Sequence, residues 1–131
     1  MRQRHTWKRD EKLKSRKRIE RVFREGKSFS LFPYRVYFLL QPPVEPAAPA
    51  GLQAGFGASS RHFKKAVDRN RIKRLSREAY RLQKQPLLQR VKEKGVLMAV
   101  FFIYTGKDLP DYPTASEKIG VALQKLIKEI T

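Results

Sequence analysis

KKAVDRNRIKRLSREAYR, residues 64–81, sets Lys64, Lys65, Arg69, Arg71, Lys73, Arg74, Arg77 and Arg81 against only Asp68 and Glu78. Wound as an α-helix at about 100° per residue from Arg69, it gathers Ile72, Leu75, Ala79 and the following Leu82 into an arc of roughly 220–300°. Arg69, Asn70, Lys73, Arg74, Arg77, Arg81 and Lys84 fall in the opposite arc of roughly 0–140°. Arg71 sits at the rim of the apolar side, with Glu78 beside it. A helix face that merely meets solvent mixes signs, because Glu–Lys neighbours offset repulsion. The sign here is nearly uniform, which is what a polyanion-binding face requires.

Outward from this helix, the pattern changes period. On the N-terminal side, Ser15 can cap a helix that runs to about Glu25, with Ile19, Val22 and Phe23 as its apolar stripe and Gly26 as its stop. From Pro33 to Gln41 the chain alternates: Tyr34, Val36, Phe38 and Leu40 on one side, Arg35, Tyr37 and Leu39 on the other, the pattern of a strand. PPVEPAAPA, residues 42–50, reads as an extended linker. Residues 51–60 read as a second strand weakened by glycines, expected to pair with the first as an antiparallel hairpin. After Pro86 ends the basic helix, residues 87–93 suggest a short helical turn. GVLMAVFFIY, residues 95–104, reads as a central strand buried on both faces. Thr114 and Glu117 stand at capping-box spacing before a last helix carrying Ile119, Leu123, Leu126, Ile127 and Ile130. The expected order is α-β-β-α-β-α: one α+β domain over residues 13–131 with a small central sheet packed by helices, preceded by a flexible basic arm over residues 1–12.

Composition narrows the partners. The chain of 131 residues has a net charge of +18. That excess sits in two blocks, residues 1–27 and residues 61–94, while the remaining segments are neutral. There is no cysteine, which removes disulfides, thiolate metal sites and cysteine nucleophiles. No apolar run approaches the ~20 residues of a membrane helix, and the start has no apolar signal core. A cytoplasmic protein with no membrane partner is expected. The acids form no evident dyad or ligand spacing, so no catalytic and no metal-binding side chain is expected.

The run Ala66-Val67-Asp68-Arg69-Asn70-Arg71-Ile72-Lys73-Arg74 resembles the Arg-Asn-Arg signature of the bacterial ribonuclease P protein component. The resemblance extends to the first helix with Val22-Phe23 before Gly26, to the Tyr-bearing strand, and to the apolar strand and closing helix. Two departures stand out: Ser60-Arg61-His62 replaces a Ser-Lys-Lys, and Ile19 takes a position often aromatic. The resemblance implies a left-handed β-α-β crossover, against the usual right-handed rule. It implies a ribonuclease P RNA subunit as partner, removal of the 5′ leader of precursor tRNA, and Mg²⁺ as the holoenzyme's cofactor, held mainly by the RNA, with no obligate protein partner. It assigns RNA binding to Arg69, Asn70, Arg71, Lys73, Arg74 and Arg77, and contact with the single-stranded leader to Phe23 and Tyr37.

The residue types suit these roles. Each Lys or Arg meeting a phosphate releases condensed counterions, and Arg adds a planar fork. Arg81, Lys64, Lys65 and Arg61 extend the basic surface. Arg35 beside Tyr37 on the strand's second face makes a stacking platform for a strand that has no duplex geometry to read. Phe101, Phe102 and Tyr104 are expected in the core. A ribosomal RNA-binding protein would account for the charge equally well, but not for the spaced signature.

Overall fold

The structure, a computed structural model, describes residues 11–42 and 51–130. Most of the expected arm and most of the proline-rich linker lie outside the described residues. Eight elements follow one another: α1 (Arg16–Glu25), β1 (Lys27–Leu31), β2 (Tyr34–Gln41), β3 (Leu52–Ala58), α2 (Ala66–Gln83), α3 (Gln85–Lys94), β4 (Leu97–Tyr104) and α4 (Tyr112–Ile130). The sheet order is β1-β2-β4-β3.

The expected pairing of the second and third strands does not occur. β4 lies between them, antiparallel to β2 and parallel to β3. LMAVFFIY can be buried from both sides, so the central slot goes to it. The hairpin is instead β1–β2, whose outer strand KSFSL is polar enough for an edge. The parallel neighbours β3 and β4 are joined through α2 and α3.

Period-two alternation divides the sheet. Tyr34, Val36 and Phe38 of β2, Leu52 and Ala54 of β3, and Met98, Val100, Phe102 and Tyr104 of β4 form one buried core with Ile72, Ala79 and Tyr80 of α2, Leu87 and Val91 of α3, and Ile119, Ala122, Leu123 and Leu126 of α4. On the other face, among the described residues, α1 packs with the segment ahead of it, Val22 joining Leu13 and Ala99 in a smaller cluster.

The basic helix is rolled relative to its apolar pattern. Its buried residues are Ile72, Ser76, Ala79 and Tyr80, whereas Leu82 is exposed. Tyr80 decides this. Its ring packs edge-on to Phe56 at 5.6 Å and tilted to Phe102 at 6.0 Å, and one large aromatic buries more apolar area than the leucines it displaces. Ser76 is tolerated inside because its hydroxyl shares a 2.8 Å hydrogen bond with the Tyr34 hydroxyl. Burial pushes Tyr34 up to about 12 and holds Tyr80 far above its ordinary range, the Glu11 charge adding to the latter. The roll also turns Arg71 fully outward.

Two boundaries differ from expectation. The segment after Pro86 is a full helix, with Pro86 in its first turn and Gly95 ending it at φ 63°, a left-handed conformation that suits glycine. The last helix starts earlier than Thr114: the Asp111 carboxylate accepts a 2.9 Å bond from the Thr114 N–H, so Asp111 is the cap. Bonds from Thr114 hold the Asp111 carboxyl below its ordinary range. The expected Thr114–Glu117 box is therefore displaced by three residues.

Candidate nucleic-acid interface

Helix α2 presents Asn70, Arg71, Arg74 and Arg77 as exposed side chains, with Lys73 and Arg81 half-buried. The turn ahead of it adds exposed Arg61, Lys64 and Lys65. Arg69 behaves differently from its neighbours. A terminal nitrogen of its guanidinium donates to the Phe63 carbonyl at 2.7 Å and the Lys64 carbonyl at 2.9 Å. It ties the basic turn to the helix. Arg81 is paired with Glu78, which lowers the Glu78 carboxyl and raises the guanidinium in turn. Lys84, expected on the cationic face, is buried and bonded to Glu11 at 2.6 Å. The helix ends one residue earlier, so the turn into α3 carries Lys84 inward.

The second half of the site is the sheet face under α1. Antiparallel register sets Tyr37 opposite Phe101, so both rings rise on the same side. Phe23 descends from α1 edge-on to both, at 4.7 Å from Tyr37 and 5.3 Å from Phe101. Val22 takes the buried position and leaves Phe23 39 % exposed. The Arg35 guanidinium stands 5.5 Å from the Tyr37 ring centre, within cation–π range. It also donates to the Ser28 and Ser30 hydroxyls of β1 at 3.4 and 3.3 Å. On β3, Gly55 lies opposite Phe101 in the parallel register. A Cβ there would stand 2.8 Å from the Phe101 ring, so the glycine that weakens the strand makes room for the aromatic floor.

Between the two halves runs a groove of about 460 Å³. Asn70, Lys73 and Arg77 of α2 line it together with Lys12, Lys14, Gly55 and Phe101. The signature helix and the aromatic platform thus belong to opposite faces of the sheet and meet beside β3, where Asn70, Lys73 and Arg77 line the groove with Phe101. Phe101, Lys12 and Lys14 are not legible as site residues in the sequence. Phe101 reads as core until β4 is placed next to β2. Glu11 and Lys12, assigned to the flexible arm, are docked: Lys12 bridges Ala54, and the Leu13 N–H donates to the Ala54 carbonyl at 2.9 Å.

The chain is a one-domain α+β protein whose cationic helix flanks an aromatic-lined sheet face, the class of a basic RNA-binding fold. The model of the ribonuclease P family matches residues 7–127. The ribonuclease P protein component of Porphyromonas gingivalis is 35 % identical over 116 residues, 88 % of this chain and 82 % of that protein. The component from Chlorobium phaeobacteroides is 32 % identical over 96 residues, 67 % of this chain and 65 % of that protein. The Staphylococcus aureus RNase P protein structure superposes with a TM-score of 0.65 at 18 % identity, covering 92 % of this chain and 98 % of that one; at that identity the likeness concerns the fold. The chain belongs to the ribonuclease P protein family, the protein component of a ribonucleoprotein of tRNA processing.

Proposed function

We propose that the chain is the protein subunit that grips the catalytic RNA of ribonuclease P and steadies the 5′ leader of precursor tRNA during its removal. The observation that supports this most is the junction of two chemically distinct surfaces along one groove. Exposed Asn70, Arg71, Arg74 and Arg77 suit the phosphates and 2′-hydroxyls of a folded RNA. Phe23, Tyr37 and Phe101, flanked by Arg35, suit unpaired bases, which offer ring faces and backbone charge. Arg69 shapes this surface by fixing the turn that carries Lys64 and Lys65.

No side chain is assigned a catalytic role. The Mg²⁺ of the reaction is assigned to the RNA. No helix among the described residues is long and apolar enough to cross a membrane. The chain acts by offsetting repulsion between two RNAs and by restricting the leader. The test is leader release from precursor tRNA by ribonuclease P RNA across a Mg²⁺ titration. The chain should shift the requirement to lower Mg²⁺; RNA binding with an unchanged requirement would favour a ribosomal-type role.

A further inference from the structure

Glu11 and Lys84 are 73 residues apart in the chain yet bonded at 2.6 Å, and both are buried, at 6 % and 1 % exposure. A buried ion pair is weak evidence of stabilisation, since desolvation offsets much of the attraction and apolar replacements often serve as well. What such a pair supplies is a fixed register between two segments. Here one segment is the junction of α2 with α3. The other leads straight into Lys12, Leu13 and Lys14, which lie along the edge strand β3 through the Lys12–Ala54 bridge and the Leu13–Ala54 hydrogen bond. Leu13 is buried in the small cluster beneath α1. Lys12 and Lys14 then line the groove together with Asn70, Lys73 and Arg77.

We propose that the Glu11–Lys84 pair is a positioning clasp that holds Lys12 and Lys14 in the groove, converting a one-sided cationic helix into a channel lined by cations from two segments for the phosphate backbone of a single-stranded RNA. The backbone bond to Ala54 and the buried Leu13 side chain hold this segment at one point; the clasp fixes it at a second. Cations from two segments then stand beside the Phe101 ring, and a strand with a base on that ring has its backbone flanked rather than merely attracted. Glu11 and Lys84 touch no RNA in this arrangement; Lys12 and Lys14 do. The assignment rests on the groove being the path of the leader.

The experiment uses the full chain assembled with ribonuclease P RNA and two precursors, one with a long leader and one with a single-nucleotide leader. E11Q should raise KM for the long-leader precursor about tenfold with kcat unchanged, and leave the short-leader KM where it was. The charge-reversed pair E11K with K84E should restore the wild-type KM. K12A with K14A keeps the clasp and should give the same long-leader defect, with a salt dependence shallower by about two in log–log slope. Amide exchange in the protein alone supplies an independent arm: E11Q should speed exchange at Leu13 at least tenfold while the β4 amides stay protected. A KM increase shared equally by both precursors, no increase in either, or unaltered Leu13 exchange would overturn the clasp. If the wild-type chain does not lower the Mg²⁺ requirement for leader removal, the proposed function fails. The clasp is then decided by Leu13 exchange and by binding of a single-stranded oligoribonucleotide, which K12A with K14A should weaken about tenfold.

Discussion

The two faces of the sheet are built from the same strands and do opposite things. One is sealed: Val36, Val100, Phe102 and their neighbours are covered by α2, α3 and α4. The other is only partly roofed by α1, and its rings stay within reach of solvent, Phe23 at 39 % exposure. Alternation along β2 and β4 assigns every second residue to each role. Burial is thus concentrated on one side and exposed rings on the other, so substitutions a single residue apart should separate stability from the proposed recognition.

The largest effect should come from the sealed face. Phe102→Ala leaves a cavity beside Tyr80 and Phe56 and should cost about 3–5 kcal/mol in denaturant unfolding. Its neighbour Phe101 sits on the open face. If Phe101→Ala lowered stability as much as Phe102→Ala, the division between faces would not hold.

Next come Phe23→Ala and Tyr37→Ala. Loss of a stacking ring is worth about 1–3 kcal/mol per base, so each should weaken binding of a leader-bearing precursor about tenfold. Affinity for the catalytic RNA should be unchanged, as measured by titration of each RNA. An equal loss on both RNAs would merge the two surfaces into one.

Tyr34 sharpens the sealed side through pH. Its hydroxyl is raised to about 12 by burial, so the unfolded chain ionises first. The stabilisation is complete below pH 10 and is lost as pH rises from 10 towards 12. Tyr34→Phe should cost about 1 kcal/mol at pH 7 by orphaning Ser76, and should flatten the alkaline fall in unfolding free energy.

The smallest effect concerns the Asp111 cap. Its carboxyl is lowered by bonds from Thr114, so its contribution is present above its ordinary pKa near 4 and disappears as pH falls below it. Asp111→Ala should lower the thermal midpoint at pH 7 and converge with the wild type only as the pH falls through the lowered pKa of the folded state.

Much of this division is legible in the sequence. The alternation of residues 34–41, the apolar run in β4 and the sign of α2 each report a local period. What is not legible depends on long-range placement. Nothing local says that β4 inserts between β2 and β3, and without that register Phe101 cannot be told from Phe102. The roll of α2 turns on one ring, Tyr80, whose helical angle puts it among the cations and whose burial pulls Ser76 inside. Lys84 and Glu11 read as surface charges because their pairing spans most of the chain. The expectation for Arg69 shows the same limit: its charge belongs to the signature, but its donors go to Phe63 and Lys64.

The central claim is that the outward arc of α2 meets RNA phosphates directly. The most direct measurement is the affinity for ribonuclease P RNA as a function of salt concentration. Arg71→Ala with Arg74→Ala should reduce the log–log slope by about two, roughly one for each phosphate no longer neutralised. Arg69→Ala should lower affinity with a smaller change in slope, because Arg69 holds the turn. An unaltered slope in the Arg71/Arg74 variant would contradict the claim.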